Sequence, residues 1–99
     1  MSEPSSTVQV SALARPRLPR GVRRGHNEAH GGFVLLAPER VIKADAIAAE
    51  ILKRCDGTAS VADIVDDLGR TYNAPRDRIA DDVIRLLQDL AEKKLLELL

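Results

Sequence analysis

At Asp45 the hydrophobic pattern of this 99-residue chain changes its period, from about two residues before that point to about 3.6 after it. No other feature constrains the fold as much, because side chains recur on one face every two residues along a strand and every 3.6 along a helix. A chain of this size buries roughly 60–70% of its unfolded surface, enough for one modest core. Strands come first, helices follow, and both must share that core.

Before Asp45 three short extended pieces, residues 22–26, 32–36 and 40–43, are separated by turn chemistry. Asn27 and the Gly31 Gly32 pair accept tight-turn backbone, and Pro38 divides the second piece from the third. An antiparallel meander with at least one open edge is the economical arrangement. Upstream, residues 15–24 carry Arg15, Arg17, Arg20, Arg23 and Arg24 around Pro16 and Pro19, which predicts an arm or ragged edge strand. Residues 1–14 show neither a helical stripe nor firm alternation and are expected to be a disordered tail.

After Asp45, which can cap a first turn, Ile47, Ile51, Leu52 and Cys55 make the stripe of one helix, stopped by Asp56 and Gly57. Ser60 and Asp63 form a variant capping box for a second helix with stripe Val61, Ile64, Val65 and Leu68, ending near Tyr72 and Asn73. A third helix is expected to open at Pro75 and run to about Lys93 or Lys94, burying Ile79, Val83, Leu86, Leu87 and Leu90. Residues 95–99 fit either a frayed turn or a short strand. The fold class is therefore α+β, a small three-stranded antiparallel sheet followed by a three-helix, winged-helix-like bundle.

Composition narrows the function. Trp is absent and Phe33 and Tyr72 are the only aromatics, so stacking surfaces for bases or flat cofactors are scarce. Net charge is zero but uneven: residues 1–43 hold seven lysines and arginines against three acids, and residues 44–99 hold eight against twelve. The single cysteine, Cys55, suits a reducing compartment, and no apolar run approaches the ~20 residues of a membrane span; a cytoplasmic protein without membrane contact is expected.

His26, Glu28 and His30 alternate and would share a strand face, a pattern suggestive of a divalent-metal site; the turn signals around them favour a surface hairpin, and no metal or other cofactor is expected. Cys55 sits on an apolar stripe at a helix C-terminus, which predicts a packed, inert thiol. There is no nucleophile with a partnering base and no phosphate-cradling glycine loop, so an enzyme is not expected. The helix-turn-helix corner raises DNA binding as an alternative, but Asp77, Asp81 and Asp82 beside Arg76 and Arg78 give the third helix a mixed face that neutralises phosphate poorly. Arg78, Asp82, Arg85 and Asp89 line one flank of that helix. They are either a solvated face of ion pairs worth ~0.2–0.5 kcal/mol each, or the border of a groove in which Arg85 reads a peptide carboxylate.

The run Leu35 Leu36 Ala37 Pro38 Glu39 Arg40 Val41, the Cys55 Asp56 Gly57 stop, residues 61–64 opening the second helix, and Asp82 Val83 near Leu87 and Leu90 together resemble the PqqD family over about residues 16–96. That resemblance implies a PqqD-like peptide-recognition domain over residues 15–99. It also implies a non-catalytic chaperone of pyrroloquinoline quinone biosynthesis that binds the precursor peptide PqqA by strand addition and presents it to the radical SAM enzyme PqqE. A recognition element for another ribosomally made, modified peptide is the alternative within the fold. By position, the resemblance assigns the strand edge to Arg40, Val41, Ile42 and Lys43, and the groove to Arg78, Asp82, Val83, Arg85 and Leu86. His26, Asn27 and Phe33 depart from the family pattern, where an apolar or aromatic residue, Asp and Trp are expected. A monomer is the expected state, with a strand-exchanged dimer as the alternative.

Overall fold

The computed structural model of the protein describes residues 10–27 and 32–99, and the period change falls on a helix cap. Asp45 is the N-cap of α1 (Ala46–Lys53), its carboxylate accepting from the Ala48 N–H at 2.7 Å. Before it stand β1 (Pro16–Arg17), β2 (Arg23–Asn27), β3 (Gly32–Ala37) and β4 (Arg40–Lys43); after it come α2 (Val61–Tyr72), α3 (Arg76–Glu92) and β5 (Glu97–Leu98). The expected meander is the antiparallel sheet β2-β3-β4, with Val34 opposite both Gly25 and Lys43. At Gly25 a side chain would collide with Leu36, 2.7 Å from where its first carbon would lie, so the missing side chain lets Leu36 cross the strand.

Ser60 and Asp63 complete the capping box of α2, each bond 3.1 Å. The two N–H groups inside that box, those of Val61 and Ala62, donate to the carbonyls of Ala14 and Ala12. All the orphan donors of this helix end are thus satisfied within the chain. Of the expected tail, residues 1–9 lie outside the described residues, whereas residues 10–14 lie against the start of α2.

Two helix boundaries differ from expectation: α1 ends at Lys53 with Arg54 as its C-cap, ahead of the expected stop at Asp56 and Gly57, and α3 begins one residue later than expected. Pro75 is the N-cap of α3 rather than its first helical residue: its ψ of 133° is extended and its carbonyl accepts the first bond, from Ile79. The helix closes with Lys94 in the left-handed region (φ 62°), the Lys94 N–H donating to Ala91 and the Leu95 N–H to Leu90. This is the paired pattern of a Schellman stop, and it turns Leu95 and Leu96 into the core. Residues 95–99 resolve as a stop followed by a strand, since β5 pairs antiparallel with β1, Pro16 opposite Leu98 and Arg17 opposite Glu97. Arg17 and Glu97 also form an ion pair. Part of the arginine segment is therefore a clasp between the two ends of the domain.

One core unites sheet and helices: Leu35 from β3, Ile51 and Leu52 from α1, Val61, Ile64, Val65 and Leu68 from α2, and Ile79, Val83, Leu87 and Leu90 from α3. Val83 and Leu87 are fully buried. Ile47 departs from its expected stripe and is 41% exposed, because it sits at the stripe's margin one turn ahead of Ile51. Arg54 ties α1 to α2, donating to Asp67 at 2.5 Å and to Glu50 at 2.8 Å. Its guanidinium holds the carboxyl groups of both partners below their ordinary values.

Candidate peptide-binding site

Antiparallel pairing alternates residues whose backbone groups face the neighbouring strand with residues whose groups face away. The Ala44 N–H donates to the Phe33 carbonyl at 2.9 Å, which makes this pair a hydrogen-bonded one and fixes the phase along β4. Counting back, Ile42 and Arg40 turn their backbone groups to β3, and Val41 and Lys43 turn theirs outward. Among the described residues the outward N–H groups of Val41 and Lys43 have no backbone partner. The outer edge of β4 is thus an unpaired ladder with two outward-facing residues.

Side chains along β4 divide by the pleat. Ile42 is half-buried against the core, whereas Val41 is 43% exposed on the opposite face and Lys43 is exposed. Arg40 reaches across to α3, its guanidinium 3.4 Å from the Lys93 carbonyl at the helix C-terminus. That contact seats a cation on the negative end of the helix dipole.

Where β4 ends, a cleft between α1 and α3 begins. A concavity of about 580 Å³ is walled by Asp45, Ile47, Ala48 and Ile51 on one side and by Asp82, Arg85, Leu86 and Asp89 on the other. A second, of about 350 Å³, lies deeper toward the α2–α3 corner, where Tyr72, Arg78, Ile79 and Val83 join Ile47 and Ile51. Of the expected groove residues, Arg78, Asp82, Arg85 and Leu86 border these hollows and Val83 is the buried floor of the second. None of Arg40, Val41, Ile42 or Lys43 lines either one; strand edge and cleft adjoin through Ala44 and Asp45.

The charged flank of α3 is not the ladder of ion pairs that its spacing permits. Among the described residues Arg78, Asp82 and Arg85 form no ion pair, and only Asp89 is engaged, by Lys93 at 3.0 Å. Charges left unpaired at the rim of an apolar cleft are available to a ligand. Sequence reading missed the α1 wall. Its signal was Ile47, an apolar residue at the margin of a stripe already complete without it.

The Cys55 thiol is buried, donates to the Ile51 carbonyl at 3.3 Å, and is pushed up to about 12, chiefly by burial. It is packed, as expected. His26 packs edge-on against Phe33, ring centroids 5.8 Å apart, while Glu28 and His30 of the suggested metal pattern lie outside the described residues. No helix is long and apolar enough to cross a membrane among the described residues.

Residues 32–96 match the family model of Coenzyme PQQ synthesis protein D (PqqD). A "PqqA binding protein" of Bradyrhizobium diazoefficiens is 48% identical over 86 residues, covering 87% of this chain and 84% of that protein. The fold resembles the solution structure of the PqqD truncation of Methylobacterium extorquens PqqCD, described as a functional, stand-alone recognition element for ribosomally synthesized and post-translationally modified peptides. Its TM-score is 0.77 and its identity 43%, with 89% of this chain and 94% of that one covered. A crystal structure of PqqD from Xanthomonas campestris matches with a TM-score of 0.58 and 38% identity, covering 98% of each chain.

Proposed function

The chain belongs to the PqqD family, and from that premise we propose that it is a peptide chaperone of pyrroloquinoline quinone synthesis, binding the precursor peptide PqqA along β4 and presenting it to the radical SAM enzyme PqqE. The observation that carries the binding mode is the pair of outward amides on Val41 and Lys43, without a backbone partner among the described residues, on a strand that continues through Ala44 and Asp45 into the α1–α3 cleft. An extended peptide adds to such an edge through its main chain, and pockets select its alternate side chains.

Magnitudes decide where affinity comes from. Each main-chain hydrogen bond nets about 0.5–1.5 kcal/mol, while ordering each peptide residue costs about 1–2 kcal/mol, so backbone pairing alone roughly cancels. Apolar peptide side chains in the two hollows contribute about 1.5–3 kcal/mol each. Three of them near the top of that range, with a charge at Arg78 or Arg85, bring binding to the micromolar range, about −8 kcal/mol. The chain itself does no chemistry in this reading, its one thiol being buried and held protonated.

Arg85 supplies a local test. Because it is exposed and forms no ion pair among the described residues, Arg85→Glu is expected to leave the thermal midpoint within about 2 °C of wild type. The same change should weaken binding of fluorescently labelled PqqA about ten-fold, by replacing attraction with repulsion at the cleft rim. Unchanged affinity in an anisotropy titration would remove Arg85 from the site.

A further inference from the structure

Among the described residues the sheet has a second open edge. The phase that turns Val41 and Lys43 outward on β4 directs the backbone of Val34 toward β2, where its partner is Gly25. Arg24 and His26 therefore point their N–H and C=O groups away from the sheet, and among the described residues no backbone group meets them. Below this edge α1 walls a concavity of about 790 Å³, floored by Leu52, Cys55 and Ala49 and flanked by Phe33, which is 45% exposed. The β2 edge thus has the same two components as the β4 edge: an unpaired ladder and a helix-walled hollow beside it.

Its charge names the occupant. Arg23 and Arg24 lie on opposite faces of β2, both exposed, and neither forms an ion pair among the described residues. The acids bordering the hollow are already engaged. Glu50 is held by Arg54 and Lys53, and the Asp56 carboxylate accepts from the Thr58 and Ala59 N–H groups. A second copy pairing edge to edge would bring these arginines against their own symmetry mates, and like charges oppose such self-association. A nucleic acid would use the charge and leave the outward amides without partners that match a ladder. We propose that the β2 edge receives an extended acidic segment of a partner protein, its carboxylates meeting Arg23 and Arg24. The two edges are separated by the sheet's width, about 10 Å, so one segment on each gives the domain two simultaneous extended ligands. This inference stands whether or not β4 receives the precursor peptide.

The full chain, isotope-labelled, is titrated at low salt with the blocked peptide acetyl-Thr-Glu-Glu-Val-Glu-Glu-Thr-amide, which carries carboxylates on both faces of an extended strand, and in parallel with its lysine counterpart. The acidic peptide should shift the amides of Arg24 and His26 and those of α1. Arg24→Glu should weaken this response about ten-fold, whereas the lysine peptide leaves the spectrum unchanged. His26→Pro deletes one outward N–H while keeping both arginines, a substitution an edge strand accepts when that N–H faces solvent. It should abolish the shifts while β3 and β4 resonances stay in place, which also reports that the variant folds. Four results overturn the proposal: no shift at millimolar peptide, shifts confined to Val41 and Lys43, an undiminished response in His26→Pro, or the same shifts from an oligothymidylate of equal charge.

Discussion

Val41→Pro is expected to weaken PqqA binding by about ten-fold to a hundred-fold without unfolding the domain. Proline removes the N–H that β4 turns outward, and the peptide carbonyl it would have served is then buried unpaired. Such a loss costs about 1–3 kcal/mol, and each 1.4 kcal/mol is a factor of ten. The fold tolerates the change because the Val41 amide takes no part in pairing with β3 and the side chain is 43% exposed. Isothermal titration with PqqA measures the loss, and retained helical circular dichroism checks the fold. The matching change at Ile42 should behave in the opposite way, since its amide pairs inward with Leu35. Ile42→Pro breaks the sheet, and both stability and binding fall.

Leu87→Ala is expected to be the most damaging single truncation in α3. Leu87 is fully buried in the cluster that joins α3 to α2, α1 and the sheet. Removing its branched end forfeits about 2–5 kcal/mol, transfer and cavity together, from a total that for domains of this kind is about 5–15 kcal/mol. In urea the midpoint should fall by about 1 M or more. Leu86→Ala, one residue away but only partly buried at the cleft, should lose far less stability and more peptide affinity. A Leu87→Ala midpoint close to wild type would mean that α3 is not anchored through this position.

Much of the architecture is legible in the residues because it is local. Period, the Asp45 cap, the Ser60 and Asp63 box and the Asn73 corner each act within a turn or two, and each appears where the pattern puts it. The clasp between Pro16–Arg17 and Glu97–Leu98 is a different matter. Two-residue strands show no periodicity, and nothing near Pro16 announces a partner at the far end of the chain. The stop after α3 is hidden for a related reason: its left-handed residue is Lys94, not the glycine that usually signals such a turn. Ala12 and Ala14 serve α2 through their carbonyls alone, which no side-chain pattern encodes.

The candidate site divides along the same line. Val41 and Lys43 on an edge, and Arg78, Asp82 and Arg85 on one flank, follow from position and spacing. Which amides face outward depends on strand register, set here by the bond from Ala44 to Phe33, and a shift of one residue would reverse the answer. The contribution of α1 to the cleft is tertiary, arising from how α1 and α3 lie together, and only the exposed Ile47 hints at it.

Strand addition at β4 requires the Val41 and Lys43 amides to pair with bound peptide, and amide hydrogen exchange reads those two sites individually. With saturating PqqA both should slow by at least about ten-fold, while the Ile42 amide, already bonded to β3, changes little. Saturation of the peptide with Val41 and Lys43 exchanging as fast as in the free protein would contradict strand addition at β4.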